Sequence, residues 1–361
     1  MDEFYMARAL KLAKKGEAWV SPNPMVGAVI VKNNRIIGEG YHQIFGGNHA
    51  EINAINHATE TIEGATIYVN LEPCTHYGKT PPCIETIIAC RPARVVIGTT
   101  DPNPLVAGGG IKALKKRGIE TTLGVLEEAC KRINERFFKF IRTGSPFVTL
   151  KFAQTLDGRI ATSAGHSRWI SSERSLRFAH VLRSHHDAAL IGVGTLLRDN
   201  PELTTRLTSG RNPLRVVVDS HLRTPPDAGI LKNQTMAKTI IATTIHACRE
   251  KLARLDEMGI ETIVVEQDND HRVHLTKLFA ELGKRKISSV LVEGGAAIIT
   301  SILKGKLADR VVIIIAPKIV GKGVDAVGDL EIQSMDESLK LIYRRILRKG
   351  DDLIIDGRFE K

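Results

Sequence analysis

His49 and Glu51, with Cys74 and Cys83 further along the chain, bring together one imidazole, two thiols and a carboxylate. Zinc prefers nitrogen and sulfur donors, and a catalytic zinc keeps its fourth position for water. Two thiolates and one imidazole leave that position open. Glu51, two residues past His49, is then free to take a proton from the water and carry it to a substrate. The two cysteines are separated by Thr75-His76-Tyr77-Gly78-Lys79-Thr80-Pro81-Pro82. A two-residue spacing would seat both thiols at the start of one helix. The longer spacing needs a loop, which Gly78 and the Pro81-Pro82 pair suit. Cys83 then opens an apolar helix, Ile84 to Ala89, and can still reach back to Cys74. The competing reading is a closed zinc site that only holds the fold, with His76 or His42 as fourth ligand and Glu51 an ordinary surface helix residue. A purely structural site has no use for the His-Ala-Glu step, which favours the catalytic reading.

Elements around these residues are legible. Ser21-Pro22-Asn23-Pro24-Met25-Val26-Gly27-Ala28-Val29-Ile30-Val31 is a Pro-punctuated turn running into a buried strand. Asn33-Asn34 makes a hairpin turn, and Arg35 to Gly40 returns as a second strand. A helix runs from His49 through Ala58. Ala65 to Leu71 is a strand that ends at Glu72-Pro73-Cys74. This β-β-α-β order puts metal ligands at the starts of two helices, beside a sheet. His-x-Glu followed by Pro-Cys and a second cysteine resembles the signature of zinc deaminases that act on pyrimidine or purine rings, apart from the longer cysteine spacing.

The 361 residues suggest two domains, and 43% hydrophobic residues let both bury a core. No apolar stretch is long enough to span a membrane. Met1-Asp2-Glu3-Phe4 has no basic-then-apolar targeting pattern. Five widely spread cysteines argue against a disulfide framework and for a reducing cytoplasm. Cys90, Cys130 and Cys248 lie in helical patterns and read as inert core thiols. A net charge of +11 invites a nucleic-acid reading. The basic residues are scattered, however, and aromatics are only 5%, without a stacking platform. Phosphorylated small ligands account for a positive field equally well.

A long amphipathic helix, Leu126 to Ile141, ends at Arg142-Thr143-Gly144, and Ser145-Pro146 breaks the pattern. The expected domains are therefore 1–144 and 145–361. The second opens with a strand, Phe147 to Phe152. Strands then alternate with helices: Ala188–Val193, Leu214–Val218, Thr239–Ala242, Thr262–Val265, Ser289–Val292 and Val311–Ala316 against Ser172–Ser184, Arg249–Met258, Leu275–Lys284 and Ala297–Gly305. That alternation implies a mainly parallel sheet covered on both faces. The tail, Leu339–Arg348 and Leu353–Phe359, reads as an antiparallel hairpin. Glu293-Gly294-Gly295 and Gly192-Val193-Gly194-Thr195 are strand-to-helix glycine turns whose backbone N–H groups could cradle a phosphate. Neither carries the full dinucleotide fingerprint. Lys151, a lysine within an apolar strand, needs a partner or a ligand. A structural ion pair with Asp157 or Asp199 is the plain alternative.

Asn23-Pro24-Met25-Val26-Gly27-Ala28, His49-Ala50-Glu51, the run from Leu71 to Cys83 and Asp101-Pro102-Asn103-Pro104-Leu105-Val106-Ala107-Gly108 resemble the bifunctional deaminase/reductase family of riboflavin biosynthesis. The likeness continues through Leu150-Lys151, Leu156-Asp157-Gly158-Arg159-Ile160-Ala161, Trp169-Ile170-Ser171, Gly192 to Thr195, Asp199-Asn200-Pro201 and Val292 to Gly295, and so covers essentially the whole chain. It implies a cytidine-deaminase-like α/β/α domain followed by a dihydrofolate-reductase-like α/β domain. It implies one zinc held by His49, Cys74 and Cys83, with Glu51 as proton shuttle, and NADPH in the second half. Carried over by motif, Ala153, Trp169, Thr195, Asp199, Ser220 and Gly295-Ala296-Ala297-Ile298-Ile299-Thr300-Ser301 contact NADP, while Ser167, Arg183, Leu203, Arg206 and Glu293 contact substrate. Arg183 and Arg206 suit phosphate, because guanidinium binds it in bidentate fashion. Trp169 is expected near the nicotinamide, against the alternative of a core tryptophan. Lys151 is expected to orient the substrate or donate a proton. Asn23, His42, His76, Lys79, Asp101 and Asn103 are candidates for the deaminase pocket, with Lys79 on the phosphate. Asx turns are the plain alternative for Asn23, Asp101 and Asn103.

The expectation is a two-step enzyme on one phosphorylated pyrimidine scaffold. Deamination of 2,5-diamino-6-ribosylamino-4(3H)-pyrimidinone 5′-phosphate comes first, then NADPH reduction of the ribosyl group to ribityl. No nucleic acid and no membrane are expected as partners, and a homo-oligomer through the second domain is implied by the resemblance. A polynucleotide-editing deaminase competes for the first half but gives the second half no purpose. A zinc-stabilised binding protein without turnover is the third possibility.

Overall fold

The structure is a computed structural model and describes residues 1–77, 81–104 and 106–360. The chain divides into two compact units, Met1–Gly144 and Ser145–Lys361.

In the first unit the elements are α1 (Asp2–Ala13), β1 (Gly27–Lys32), β2 (Arg35–Tyr41), α2 (Ala50–Asn56), β3 (Thr66–Val69), α3 (Cys83–Ala89), β4 (Arg94–Ile97), α4 (Gly109–Lys116), β5 (Glu120–Leu123), α5 (Glu127–Ile133) and α6 (Glu135–Thr143). The sheet order is β2-β1-β3-β4-β5, with β1 antiparallel to β2 and β3 and the remaining pairs parallel. Strand residues alternate between two cores. Ala28, Ile30, Ile67, Val69, Val95 and Ile97 face α2, α3 and α4, whereas Val29, Val31, Tyr68 and Val96 face α1 and α5. Period-two alternation puts both faces of one sheet to use, which makes an α/β/α sandwich.

The long helix expected over 126–141 is two helices. Asn134 breaks it with φ −104° and ψ 17°. Its side chain accepts from the Met25 N–H at 2.7 Å and donates to the Met25 carbonyl at 2.9 Å. A polar side chain that serves a distant backbone competes with the helix ladder, and here it wins.

The second unit runs β6 (Phe147–Thr155), β7 (Arg159–Thr162), α7 (Glu173–Ser184), β8 (Ala188–Gly192), α8 (Val193–Asp199), β9 (Leu214–Val218), β10 (Thr239–Thr243), α9 (Arg249–Glu257), β11 (Glu261–Val264), α10 (Leu275–Lys284), β12 (Ser289–Val292), α11 (Ala296–Lys304), β13 (Arg310–Ala316), β14 (Gly323–Asp325), β15 (Leu341–Lys349) and β16 (Asp352–Phe359). Its sheet order is β11-β10-β9-β8-β12-β6-β13-β16-β15. The strands from β11 to β13 pair in parallel, and β16 and β15 close the edge antiparallel. Alternate strand residues again serve opposite cores: Leu190, Val216 and Ile240 on one side, Ile191, Val217 and Ile241 on the other. Cys130 is buried as expected, but Cys248 is exposed, because it caps α9 from outside the core.

Candidate active sites

In the first unit, His49 sits at the N-cap of α2, Cys83 is the first residue of α3, and Cys74 lies in the loop after β3. His49 Nδ1 is 3.1 Å from Cys83 Sγ and 3.5 Å from Cys74 Sγ. All three donor atoms lie within 4.8 Å of one another. A tetrahedral zinc with ordinary bond lengths needs donors roughly 3.5–3.8 Å apart, so this ring fits zinc in chemistry and in size. Neither His42 nor His76 belongs to the cluster. His42 is already committed, with Nδ1 on the Asn48 carbonyl at 2.9 Å and Nε2 on the Asn23 amide nitrogen at 3.1 Å. The Asn23 amide donates, so His42 Nε2 accepts and its proton rests on Nδ1. Burial, the Asn48 bond opposing it, holds the His42 pKa below the ordinary histidine value.

The Cys74 thiol is pushed down, first by the Cys83 thiol beside it and also by His49, while Cys83 is pushed up. One thiolate forms readily in this pair and the second needs a cation. Glu51 is 4% exposed, in the first turn of α2. Burial raises its carboxyl to about 7, even with His49 nearby pulling it down. A divalent ion in the ring would draw that value down again and keep the base ionised.

A cavity of about 240 Å³ opens beside this ring. Asn23, His42, His49, Glu51, Cys74, His76, Asp101 and Asn103 line it together with apolar Pro22, Phe45, Phe137 and Phe140. Asn23, His42, His76, Asp101 and Asn103 are thus gathered at one cavity, and Lys79 lies outside the described residues. Asp101 does form an Asx turn, accepting from the Asn103 N–H at 2.8 Å. Its carboxyl is raised to about 6 by burial. His76 Nδ1 is buried with no hydrogen-bond partner among the described residues.

Two buried polar residues brace this region without being among the candidates the sequence offered: Glu72, which lines the cavity, and Asn70, which does not. Buried Glu72 accepts from the backbone N–H groups of Asp101, Gly108 and Ile111, tying the 101–111 loop to the end of β3. Buried Asn70 accepts from Gly27 N–H and donates to the Met25 carbonyl. Two polar residues closing an apolar strand were the available signal. Phe137 and Phe140 gave none, because aromatics at helical spacing look the same in any core.

The second unit gathers its expected residues at the carboxyl ends of the parallel strands, where open α/β sheets hold ligands. Ala153 is near the end of β6, Ser220 follows β9, and Thr195 and Asp199 lie on α8. Gly295 caps α11, which carries Ala296 to Ser301. Neighbouring β8 and β12 each end in a glycine turn, and the turns interlock. The Gly295 N–H donates to Thr195 Oγ at 2.9 Å, and a Cβ on Gly192 or Gly294 would come within 2.7 Å of Ile298. Ile298 therefore packs between the turns, and Ile299 is core. The first-turn N–H groups of α11 have no partner within the helix and remain to take an anion. That arrangement fits the pyrophosphate of a dinucleotide.

Trp169 is 62% exposed, not a core residue. Its carbonyl accepts from Lys318 Nζ at 2.6 Å, and neighbouring Arg168 donates to the Asp199 carbonyl at 3.0 Å, so the Ser167–Trp169 loop lies beside α8. Lys151 pairs with neither Asp157 nor Asp199. Its partner is Glu293, at 3.4 Å. Glu293 also binds Arg183 Nε at 2.7 Å, and Arg183 Nη1 donates to the Thr204 carbonyl. Burial works against the Glu293 carboxylate, but the charges of Arg183 and Lys151 prevail and hold it near 2. Leu203 is buried at φ 52°, and Arg206 is an exposed cation 3.7 Å from Glu202.

Residues 1–99 match the family of the cytidine and deoxycytidylate deaminase zinc-binding region, and residues 146–355 match the RibD C-terminal domain. The riboflavin biosynthesis protein RibD of Aquifex aeolicus is 44% identical over 98% of this chain and 98% of its own. The chain belongs to the RibD family of riboflavin biosynthesis proteins. The Escherichia coli RibD is 38% identical over 98% of both chains. A solved RibD of Acinetobacter baumannii superposes with a TM-score of 0.89 at 34% identity, over 100% of this chain and 99% of that one. A Thermotoga maritima structure, described as a diaminohydroxyphosphoribosylaminopyrimidine deaminase/5-amino-6-(5-phosphoribosylamino)uracil reductase, superposes at 0.87 with 38% identity over 99% of each chain. A RibD chain joins a cytidine-deaminase-like zinc-binding region to a reductase domain, as the motifs implied. Among the described residues no helix is long and apolar enough to cross a membrane.

Proposed function

We propose that this RibD chain deaminates 2,5-diamino-6-ribosylamino-4(3H)-pyrimidinone 5′-phosphate in its first unit, and reduces the ribosyl group of the product to ribityl with NADPH in its second. The observation that carries the reading is the His49–Cys74–Cys83 donor ring with buried Glu51 at the wall of an aromatic-flanked cavity. When bound, zinc supplies the Lewis acidity that lets water ionise near neutral pH. Glu51 takes the proton of the attacking water as its oxygen bonds to the amino-bearing ring carbon. It returns that proton to the nitrogen as the C–N bond breaks and ammonia leaves. Phe137 and Phe140 flank the heterocycle. His42, with its proton fixed on Nδ1, holds the Asn23 amide in the orientation that meets the ring's polar edge. His76, Lys79, Asp101 and Asn103 take the sugar-phosphate end.

In the second unit NADPH, when bound, would supply the hydride that reduces the anomeric carbon. Ala153, Trp169, Thr195, Asp199, Ser220 and the 295–301 segment hold the cofactor, the last through backbone N–H groups at the start of α11. Ser167, Leu203, Arg206 and the Arg183–Glu293 pair hold the substrate. Lys151, oriented by Glu293, gives a proton to the ribose ring oxygen as its bond to the anomeric carbon breaks. A reducing cytoplasm suits the five free thiols. A homo-oligomer through the reductase unit belongs to the same reading, with exposed Ile342, Tyr343 and Ile346 on edge strand β15 as its candidate surface.

The test is a single tube. The diaminopyrimidine phosphate is added to zinc-loaded protein and ammonia is measured; NADPH is then added and its absorbance followed. Stoichiometric ammonia followed by NADPH oxidation is expected. Ammonia without NADPH oxidation would remove the second half of the reading, and no ammonia at all would remove the first.

A further inference from the structure

His180 is a buried histidine, 4% exposed, on the inner side of α7, and no step described so far uses it. Its Nδ1 lies 3.4 Å from the Leu207 N–H. A backbone N–H can only donate, so Nδ1 accepts and the ring is neutral with its proton on Nε2. One turn further along the same helix, Arg183 donates to the Thr204 carbonyl. Between these two attachments the Asn212 side chain accepts from both the N–H and the hydroxyl of Thr205, each at 2.8 Å. The segment begins at Leu203, a buried non-glycine residue at φ 52°. Such a conformation persists where its surroundings over-determine it, and it concentrates at ligand sites. Five residues, 203–207, are therefore held at several points, and the one charged side chain they leave exposed is Arg206, next to the exposed, apolar Leu207. Its 3.7 Å pair with Glu202, both side chains more than half exposed, is weak enough for a phosphate to replace.

We propose that His180 is a positioning residue of the reductase site: by accepting the Leu207 N–H it fixes the 203–207 segment, so that Arg206 is pre-aimed at the phosphomonoester of the substrate. The inference rests on the reading of the second unit as the reductase, and it adds a residue that touches neither substrate nor cofactor. Pre-organisation of a clamp acts on binding, not on the hydride step.

The experiment uses the full chain and a double-mutant cycle with Arg206. His180→Leu removes the acceptor, and His180→Asn keeps an oxygen close to the place of Nδ1. NADPH binding, followed by its fluorescence, verifies that each variant is folded in this unit; where His180→Leu fails that check, His180→Phe replaces it. His180→Leu is expected to raise the KM for the deaminated sugar phosphate about tenfold, with kcat within about twofold and NADPH affinity unchanged. Inorganic phosphate as a competitive inhibitor should weaken by the same factor. His180→Asn should recover most of the loss, and in an Arg206→Ala background His180→Leu should add nothing. A wild-type KM in the variants without the acceptor, equal damage from Asn and Leu, or full additivity with Arg206→Ala would each overturn the proposal. A wild-type chain that binds NADPH but reduces no sugar phosphate would instead overturn the functional reading beneath it.

Discussion

At the scale of single residues, the two units treat their buried carboxylates in opposite ways. Burial lifts the Glu51 carboxyl, a shift that a divalent ion in the ring would oppose, while Glu293 is driven down by two cations and stays a fixed charge. The second case has a measurable signature. A folded-state pKa below the unfolded one means the unfolded chain binds the proton more readily, so stability falls as pH falls through that interval. From about 4.5 toward about 2, wild-type Glu293 becomes neutral and comes to resemble glutamine. The difference in thermal stability of the reductase unit between wild type and Glu293→Gln should therefore close across that window. A difference that stays constant with pH would show that Glu293 is not held down by Arg183 and Lys151. The chemistry-bearing residues were legible in the sequence, because thiol, imidazole and carboxylate at fixed spacing admit few uses. The residues that hold them were not. Glu72 and Asn70 act through backbone N–H and carbonyl groups of distant loops, and no spacing rule reveals such partners. Lys151 was seen to need a partner, but Glu293 is far from it in sequence and only the pairing of β6 with β12 brings the two together.

At the scale of elements, the metal ring depends on how closely α2 approaches the β1–β2 hairpin. A Cβ on Gly40 would stand 2.3 Å from Ala54 N and 2.4 Å from Ala50 O, both helix backbone that cannot turn aside. Gly40→Ala should displace α2 and with it His49 and Glu51. The expected loss is about 1–3 kcal/mol of stability in the first unit, with reduced zinc content and ammonia release. Reduction of pre-deaminated substrate should persist. Full zinc content and normal deamination in this variant would mean that the close packing does not set the site. Strands and helices were largely readable from periodicity, with ends shifted by a residue or two. That holds for the elements that were read; α1, β4, α4, β5, β7, α8 and β14 were not read, β6 runs three residues further, to Thr155, and the α5–α6 break was missed. Helical periodicity continues unbroken across Asn134, and only the hydrogen bonds to Met25 give that residue a reason to leave the helix.

At the scale of the whole chain, two units carry two chemistries on one phosphorylated scaffold, and each should fail separately. Removing zinc with a chelator should abolish ammonia release and leave NADPH oxidation of the deaminated substrate unchanged, with deamination restored by added zinc. Parallel loss of both activities would show that the units do not work independently. The division into two units was legible from Ser145-Pro146, where an amphipathic pattern stops and a strand pattern starts. The reductase site was not derivable from its glycine turns, since either turn alone is an ordinary strand-to-helix junction. The two turns meet because β8 and β12 are neighbours in the sheet. The first chemistry stands on the partnership of the donor ring with Glu51. Its most direct test is zinc content and ammonia release measured on one preparation of Glu51→Gln. About one zinc per chain is expected, as in wild type, with ammonia release at least about a hundredfold slower. Ammonia release at the wild-type rate from that zinc-loaded variant would contradict it.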